Sequence, residues 1–205
     1  MMKGIPFIVS APSGAGKTTL CNMALEFFPD LRHSISYTTR KPRPGDRNGV
    51  DYRFVDDKEF DSMLEGNEFL EYAVVHGKRY GTSKKDLEEL LVKGVNVLLD
   101  IDVQGAQKVR GTLTGGVYVF ILPPSIKDCE DRLKTRAKDS KEEIEKRLKT
   151  AALEVKRALD YDYIIMNDDL NRAFETLKSI IISEKSRKPN MAETVKRLYS
   201  NLLSE

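Results

Sequence analysis

The chain alternates between short apolar runs and segments whose apolar residues recur at helical spacing. Four runs rich in β-branched residues predict buried strands, at 5–10, 95–101, 117–122 and 161–166. A segment able to form a helix follows each run; after the first, Leu20, Met23 and Phe27 share one helical face. Alternating strands and helices are typical of a parallel sheet. The pattern therefore predicts an α/β fold with helices on both faces of a parallel sheet.

Residues 34–93 follow a different pattern, with short strands and short helices. Strand candidates lie at 33–40, 51–55 and 69–75. Two helices are predicted because Asp56 and Ser83 each precede an acidic residue by three positions, which is typical of a helix N-terminus. Gly66 and Gly94 are predicted to end these helices. We interpret this segment as a small α+β insertion built on the main sheet.

The C-terminal part of the chain is predicted to be mostly helical. Residues 125–159 form two charged helical patterns, which are typical of a solvated helical face. Residues 169–188 repeat apolar residues at helical spacing and predict an amphipathic helix that returns to the sheet. A last short helix is expected after Pro189.

Composition and charge exclude several classes of protein. With 205 residues, the chain is expected to form one domain with inserted subdomains. Lys and Arg number 34 against 32 Asp and Glu, so a dedicated nucleic-acid or membrane-surface binder is not expected. Cys21 and Cys129 lack metal-ligand spacing and are expected to be reduced thiols. The N-terminal apolar stretch is too short for a signal peptide and no run could span a membrane, so we expect a soluble cytoplasmic protein.

One short segment carries a strong signal for phosphate binding. Residues 11–18 read A-P-S-G-A-G-K-T, which matches the phosphate loop G-x-x-x-x-G-K-[ST] except at Ala11. The glycines can turn backbone N–H groups inward, Lys17 supplies a charge for the β- and γ-phosphates, and Thr18 supplies a hydroxyl for Mg²⁺. The order strand, loop, helix then predicts a P-loop NTPase-type fold. The predicted ATP-binding residues here are Ala11, Pro12, Ser13, Gly14, Ala15, Gly16, Lys17, Thr18 and Thr19.

The predicted strand at 95–101 carries an acidic residue near its end, Asp100. A carboxylate at this position can hold a water of the Mg²⁺ shell. An aspartate can equally cap the helix that follows. The sequence leaves both interpretations open.

The predicted insertion contains more hydrogen-bond donors than a turn requires. The stretch SYTTRKPRPGDRNGVDYRF holds Ser36, Arg40, Arg43 and Tyr52. Arginine forks suit bidentate binding of a phosphate dianion, and a tyrosine hydroxyl can add a donor. Arg43 could instead be solvated beside two prolines, and Tyr52 could be a packed strand residue.

The chain resembles the guanylate kinase family, whose members phosphorylate GMP with ATP. The resemblance rests on the phosphate loop and on SYTTRKPRPGDRNGVDY, FLEYAVVHGKRYGTS, DIDVQGAQ, RLKTR and NDDL, so it covers nearly the whole chain. It implies that Arg40, Arg43, Tyr52 and Tyr80 hold the GMP phosphate. It implies that Ser36, Glu71, Thr82 and Asp102 read the base. Thr82 stands where the family also has serine, and Asp46 stands where glutamate is common.

The chemistry of guanine agrees with these implied roles. Glu71 can accept hydrogen bonds from N1–H and N2–H₂ of guanine, whereas adenine presents an acceptor at N1. A hydroxyl donor suits guanine O6, and Ser36 is the residue we assign to it. A site of this kind favours GMP over AMP.

The resemblance also implies a lid whose arginines surround the transferring phosphoryl group. Arg132 and Arg136 lie four positions apart, hence on one helical face, and Arg147 follows on the next helical pattern. With Lys17 they form the implied catalytic set. This role disfavours the interpretation of residues 125–159 as only a solvated helical face.

The remaining implied features concern ATP, the metal and the domain division. Asn167 is implied to contact the adenine of ATP, although it could instead cap the next helix. A GMP phosphate oxygen is already ionised at pH 7, so no general base is needed and His33 and His76 are expected to be bystanders. Mg²⁺ is the implied cofactor and ATP and GMP the substrates, whereas the oligomeric state stays open. The implied division is a core at 1–33, 94–124 and 160–205, a GMP-binding insertion at 34–93 and a lid at 125–159.

Three other functions remain as alternatives. A non-catalytic guanylate-kinase-like module could use the GMP site to hold phosphopeptides, but such modules typically lack a working phosphate loop. A kinase for another nucleoside monophosphate is disfavoured by Glu71 together with Ser36. A GTP-hydrolysing switch is disfavoured because no NKxD sequence is present.

Overall fold

The computed structural model of the chain describes residues 3–75, 77–135 and 141–202, and for 132–135 and 141–146 it describes the backbone alone. The strands are β1 (Pro6–Ser10), β2 (Leu31–His33), β3 (Tyr37–Thr38), β4 (Arg53–Phe54), β5 (Phe69–Val75), β6 (Lys78–Ser83), β7 (Asn96–Asp100), β8 (Val117–Leu122) and β9 (Tyr163–Met166). The α-helices are α1 (Lys17–Phe27), α2 (Asp57–Glu65), α3 (Lys84–Val92), α4 (Val103–Arg110), α5 (Ile126–Thr135), α6 (Lys141–Val155), α7 (Leu170–Ser186) and α8 (Lys188–Leu198). Short 3-10 helices lie at Ala158–Asp160 and Ser200–Leu202.

The main sheet is parallel and has the strand order β2-β7-β1-β8-β9. Every residue of the central strand β1 is buried. Because side chains alternate along a strand, Phe7 and Val9 pack with α1 and α7 on one face, while Ile8 packs with α3 and α4 on the other. Helices therefore cover both faces, and the predicted P-loop NTPase-type α/β fold is confirmed.

A second sheet, with the order β4-β3-β6-β5, lies within residues 37–83. β6 pairs antiparallel with β3 and β5, whereas β3 and β4 run parallel. Helix α2 packs on this sheet, where Phe60 stacks on Phe69 with 4.5 Å between ring centroids. The register of β5 against β6 shifts between Phe69 and Glu71, and such a bulge turns the following side chain to a new direction.

Two predicted helix starts agree with the structure. The Asp56 carboxylate accepts a hydrogen bond from the Glu59 N–H at 2.7 Å and caps α2. The Ser83 hydroxyl accepts one from the Asp86 N–H at 3.2 Å and caps α3. These side chains satisfy N–H groups that the helix itself cannot. Helix α3 follows β6 directly and packs on the main sheet, so it joins the two sheets.

Several elements differ from the sequence prediction. The pattern misses β2, because one of its three residues is buried, and it misses the largely polar β6. The strand predicted at 33–40 is reduced to the two residues of β3, and the strand predicted at 51–55 to the two residues of β4. Phe27 is 51% exposed although its spacing predicts burial. Local hydrophobicity therefore does not predict the bounds of the short, polar strands in the second sheet.

The C-terminal helices follow the predicted pattern with small changes. Helix α7 buries Leu177 and Ile181 against the main sheet. Helix α8 begins at Lys188, so Pro189 lies inside its first turn, where its missing N–H costs little. Over the described ranges, no helix is both long and apolar enough to cross a bilayer.

Candidate active site

The carboxyl ends of β1, β7 and β9 lie at the same edge of the main sheet, because these strands run parallel. Residues 11–16 follow β1, Asp100 ends β7, and Asn167 follows β9. The central β1 has β7 on one side and β8 on the other, so the strand order reverses there. Ligands of open α/β sheets bind at this edge beside the reversal point. The predicted phosphate loop therefore lies where the fold binds ligands.

The phosphate loop has a backbone that a glycine-poor segment could not adopt easily. Gly14 and Gly16 have φ values of +88° and +92°, in the left-handed region. Helix α1 starts directly after Gly16 and has no side-chain cap and no acidic residue in its first turn. A helix N-terminus without a capping side chain presents N–H groups and a positive dipole end to an anion. The local structure thus fits a phosphate group.

Lys17 is held at this edge by the end of β7. Its Nζ lies 2.5 Å from Asp100 Oδ1 and donates a hydrogen bond to the Ile101 carbonyl at 2.9 Å. Burial lowers the pKa of Lys17, but the charge and hydrogen bond of Asp100, with smaller contributions from Cys21 and Asp102, together raise the pKa overall. The ammonium group therefore stays charged. Because Asp100 is the counterion of Lys17 and Asp102 caps α4, the interpretation of Asp100 as a helix cap is wrong.

Asp102 and Glu71 meet at the N-terminus of α4. The Asp102 Oδ1 accepts a hydrogen bond from the Gly105 N–H at 2.7 Å. A Cβ placed on Gly105 would lie 2.8 Å from Glu71 Oε2 and 3.3 Å from Asp102 Oδ1, so both carboxylates approach this glycine. The glycine is needed because any side chain would displace Glu71. With Thr82, which contacts Glu71, the fold thus brings together three of the four residues implied to read the base.

Glu71 is an ionisable side chain that is almost fully buried. It is 6% exposed, and its Oε1 accepts a hydrogen bond from the Thr82 hydroxyl at 2.7 Å. Burial raises the pKa of Glu71; the Thr82 hydrogen bond opposes this rise, and the nearby Asp102 adds to it. A buried carboxylate is costly unless donors satisfy it. Glu71 therefore favours a ligand that brings further N–H donors.

Tyr52 and Arg40, which lie just outside the strands of the second sheet, pack beside Tyr80 of β6. The rings of Tyr52 and Tyr80 are 5.8 Å apart in an edge-on arrangement, and the Arg40 guanidinium lies 5.1 Å from the Tyr52 ring centroid. Burial, with Tyr80 and the charge of Asp100, raises the pKa of Tyr52, so its hydroxyl stays protonated and can donate. The Asp100 carboxylate at the end of β7 is therefore near enough to act on the Tyr52 hydroxyl. The alternative that Tyr52 serves only as a packed strand residue fits this position less well.

Asp46 holds the Arg40 side chain and the backbone at Arg43, a role that the sequence analysis did not predict. Its Oδ2 accepts from Arg40 Nη1 at 2.8 Å and from the Arg43 N–H at 2.7 Å. Arg43 itself is exposed, and its backbone rather than its guanidinium makes this contact. Arg40 is thus oriented by Asp46, and the role of the Arg43 guanidinium stays a prediction.

Ser36 is half-buried in the link between β2 and β3. Its carbonyl accepts a hydrogen bond from the Arg53 N–H at 2.9 Å. Over the described part of the chain, no hydrogen bond joins its hydroxyl to Glu71 or Thr82. Its role toward guanine O6 stays a prediction.

Asn167 is tied to the phosphate loop. It is 3% exposed, and its Nδ2 donates a hydrogen bond to the Ala15 carbonyl at 2.7 Å. The interpretation of Asn167 as a helix cap is wrong, because the Asp169 side chain caps α7. Its implied contact with adenine stays a prediction, and the structure adds a role in holding the loop.

The helices α5 and α6 carry the implied lid arginines. Arg147 lies half-buried on α6, and Arg132 lies on α5 with only its backbone described. Arg136 and His76 lie outside the described residues. Sequence reasoning missed Glu154 on α6, where burial raises the pKa of the carboxyl and the nearby Ser13 N–H of the phosphate loop opposes this rise. The Glu154 carboxyl on α6 therefore lies near the phosphate loop.

The residues beside Lys17 fit a magnesium ion. Thr18 is exposed in the first turn of α1, and Asp100 contacts Lys17. Mg²⁺ usually takes one or two protein oxygens and keeps several waters or substrate oxygens. A hydroxyl and a carboxylate next to a phosphate loop are a suitable pair.

A phosphate loop at the ligand-binding edge, together with a second sheet that buries the Glu71 carboxylate and has Arg40 beside it, is typical of a P-loop kinase. The guanylate kinase family model matches residues 3–184. The guanylate kinase of Geobacter sulfurreducens is 50% identical over 97% of this chain and 98% of its own, and that of Vibrio parahaemolyticus is 44% identical over the full length of both. The crystal structure of guanylate kinase from Anaplasma phagocytophilum has a TM-score of 0.76 and 33% identity, and covers 96% of each chain. The chain therefore belongs to the guanylate kinase family, and the resemblance inferred from its sequence motifs is confirmed.

Proposed function

We propose that the protein transfers the γ-phosphoryl group of ATP to GMP, and to dGMP, with ADP and GDP or dGDP as products. The observation that carries this proposal is the buried Glu71 beside Thr82, at the N-terminus of α4. The names of the related guanylate kinases support it. In this proposal, residues 34–93 bind GMP, 125–159 form a lid, and the remaining segments form the core.

The spacing of side chains along β6 suits a nucleoside monophosphate. Tyr80 and Thr82 are two residues apart and share a face of the strand, about 7 Å apart at about 3.4 Å per residue. Thr82 pairs across the sheet with Glu71, and Tyr80 lies beside Tyr52. The phosphate of GMP would lie at the Tyr80 end and the base at the Glu71 end.

Guanine fits Glu71 better than adenine does, for a reason of hydrogen-bond polarity. The N1–H and N2–H₂ of guanine supply the donors that a buried carboxylate lacks. Adenine would place the N1 lone pair against that carboxylate. Buried polar groups left unpaired by the wrong ligand allow discrimination of about 10⁴-fold.

The chemical step requires positioned positive charge more than proton transfer. An ionised oxygen of the GMP phosphate attacks the γ-phosphorus in line with the leaving oxygen of ADP. Lys17 and the arginines of the proposed lid, Arg132, Arg136 and Arg147, stabilise the equatorial oxygens. Mg²⁺, held by Thr18 and through a water by Asp100, would neutralise charge on the β- and γ-phosphates. Closure of the lid would exclude water, which would otherwise hydrolyse ATP.

A substrate panel tests the proposed function. We expect initial rates with ATP and Mg²⁺ to be high for GMP and dGMP and at least about 10³-fold lower for AMP, CMP and UMP. Equal rates with AMP would contradict the role of Glu71. ATP binding without any GMP-dependent release of ADP would favour the non-catalytic module instead.

Arg40→Ala is expected to raise KM for GMP by about 100-fold while KM for ATP stays nearly constant, because a charge-assisted contact to the phosphate is lost. Steady-state kinetics with each substrate varied in turn measures both constants. Arg47→Ala is the matched control, since Arg47 lies in the same loop and is exposed, with an ion pair to Asp51. A wild-type KM for GMP in the Arg40 variant would remove Arg40 from the phosphate site.

A further inference from the structure

Thr38, the last residue of β3, lies beside two of the residues proposed to hold the GMP phosphate. Across the second sheet it pairs with Tyr80 of β6, and Arg40 follows two positions further along the chain. Thr38 is 0% exposed. Because it is fully buried, Thr38 is shielded from a ligand, and a role in the site has to act through these two neighbours.

The hydroxyl of Thr38 links the end of β3 both to β6 and to Arg40. It donates a hydrogen bond to the Arg79 carbonyl at 2.9 Å and accepts one from the Arg40 N–H at 3.1 Å. A threonine hydroxyl that accepts from the N–H two residues further on forms a local turn, which fixes the direction in which the chain leaves the strand. One buried oxygen atom therefore sets the Arg40 backbone relative to the residue that precedes Tyr80.

The side chain of Arg40 is held by a different set of contacts. Asp46 accepts from its Nη1 at 2.8 Å, and the guanidinium carbon lies 5.1 Å from the ring centroid of Tyr52 and 5.5 Å from that of Phe54. Arginine loses much rotamer freedom when its side chain is fixed, so a guanidinium is placed reproducibly only when its backbone is fixed as well. The Thr38 hydroxyl supplies the backbone part of this placement.

Thr39, the next residue, bonds to the same point of β6 without contacting Arg40. Its N–H donates to the Arg79 carbonyl at 3.1 Å, and its hydroxyl accepts from the Arg79 N–H at 3.1 Å. Within the described part of the chain, no hydrogen bond joins the Thr39 hydroxyl to Arg40. Loss of the Thr39 hydroxyl therefore weakens the attachment to β6 and leaves the bond between Thr38 and Arg40 in place. The two threonines form a matched pair for an experiment.

We propose that Thr38 is a positioning residue for the phosphate of GMP: its hydroxyl holds the Arg40 backbone beside Tyr80, so that the Arg40 guanidinium and the Tyr80 hydroxyl meet the same phosphate group. The inference rests on the proposed function, because it takes Arg40 and Tyr80 as residues that bind this phosphate. Groups that bind one ligand together have to be held to within about 0.5 Å of their productive geometry. A locked backbone next to the guanidinium meets this requirement.

Thr38→Val tests the role, because valine keeps the shape of threonine and removes the hydroxyl. We expect KM for GMP to rise about tenfold, with kcat and KM for ATP within about twofold of wild type, since one hydrogen bond is lost and Arg40 is retained. Thr38→Ser keeps the hydroxyl and should restore KM for GMP to within about twofold of wild type. Thr39→Val should lower the thermal midpoint by a similar amount and leave KM for GMP nearly unchanged. Thr38→Ala removes the same hydroxyl and gives the same comparison if the valine variant does not fold.

A double variant shows whether Thr38 acts through Arg40. When Arg40 is already alanine, Thr38→Val should change KM for GMP by less than about twofold, because the contact that Thr38 supports is absent. If the two effects multiplied instead, so that KM rose about 1,000-fold above wild type, Thr38 would act independently of Arg40 and the positioning role would be overturned.

The remaining outcomes separate this inference from the proposed function. A wild-type KM for GMP in the Thr38→Val protein, or an equal rise in the Thr39→Val protein, would overturn the role of Thr38 and leave the phosphate site intact. A wild-type KM for GMP in the Arg40→Ala protein would overturn the proposed phosphate site itself, and the role of Thr38 with it.

Discussion

Replacing Lys17 with methionine is expected to lower kcat by about 1,000-fold and to change KM for GMP by less than about threefold. The ammonium group lies at the N-terminus of α1 with an orientation set by Asp100 and the Ile101 carbonyl. A preorganised cation of this kind acts mainly on charge that develops in the transition state. Methionine keeps much of the length of the side chain and removes the charge. Initial rates with GMP and ATP varied separately measure the effect.

The loss of the ion pair in the Lys17 variant must be separated from the loss of catalysis. Lys17→Met leaves the Asp100 carboxylate without its counterion, and breaking a largely buried pair costs about 3 kcal/mol. We expect the double variant Lys17→Met/Asp100→Asn to recover most of the free energy of unfolding, as measured by urea titration, and to recover no activity. If the double variant regained wild-type kcat, the charge of Lys17 would have no part in the chemical step.

Glu71→Gln is expected to lower kcat/KM for GMP by about 10⁴-fold. The carboxamide keeps one acceptor oxygen but places an NH₂ group against the donors of guanine. The same change should leave kcat/KM for AMP, low in both proteins, nearly constant. Glu65→Gln is the matched control, because Glu65 ends α2 and is exposed. Discrimination between GMP and AMP that survives in the Glu71 variant would show that another residue reads the base.

Because the pKa of Glu71 is raised, the effect of Glu71→Gln on stability should also depend on pH. Because burial raises the pKa, folding favours the protonated form, and the stability from Glu71 is present below the usual carboxyl pKa of about 4.3. That stability is lost as pH rises through the raised pKa. Glu71→Gln should therefore raise the thermal midpoint of the unliganded protein more at pH 8 than at pH 5. Equal shifts at both pH values would contradict a raised pKa for Glu71.

The predictions that succeeded from sequence rest on short-range rules. The caps Asp56 and Ser83 were found because a capping side chain meets an N–H only three residues away. Strand β8 was found with its exact bounds because a buried parallel strand is a continuous apolar run. The strands β2 and β6 were missed because they are short or polar and form through pairing with distant strands.

The site shows the same division between short-range and long-range information. The phosphate loop was recognised from eight consecutive residues, whereas the choice between two roles for Asp100 needed the fold. Asn167 could have capped a helix on sequence grounds, but it contacts Ala15, which is 152 residues away.

The sequence by itself determined the phosphate loop, the alternation that makes a parallel sheet, and the family to which the chain belongs. These features depend on residues close together in the chain, where geometry follows from spacing. Only the tertiary structure decided that Asp100 pairs with Lys17 and that Glu71 is buried against Thr82 and the glycine of α4. The physical reason is that burial and ion pairing arise from contacts between distant segments, and such contacts exist only once the strands have paired.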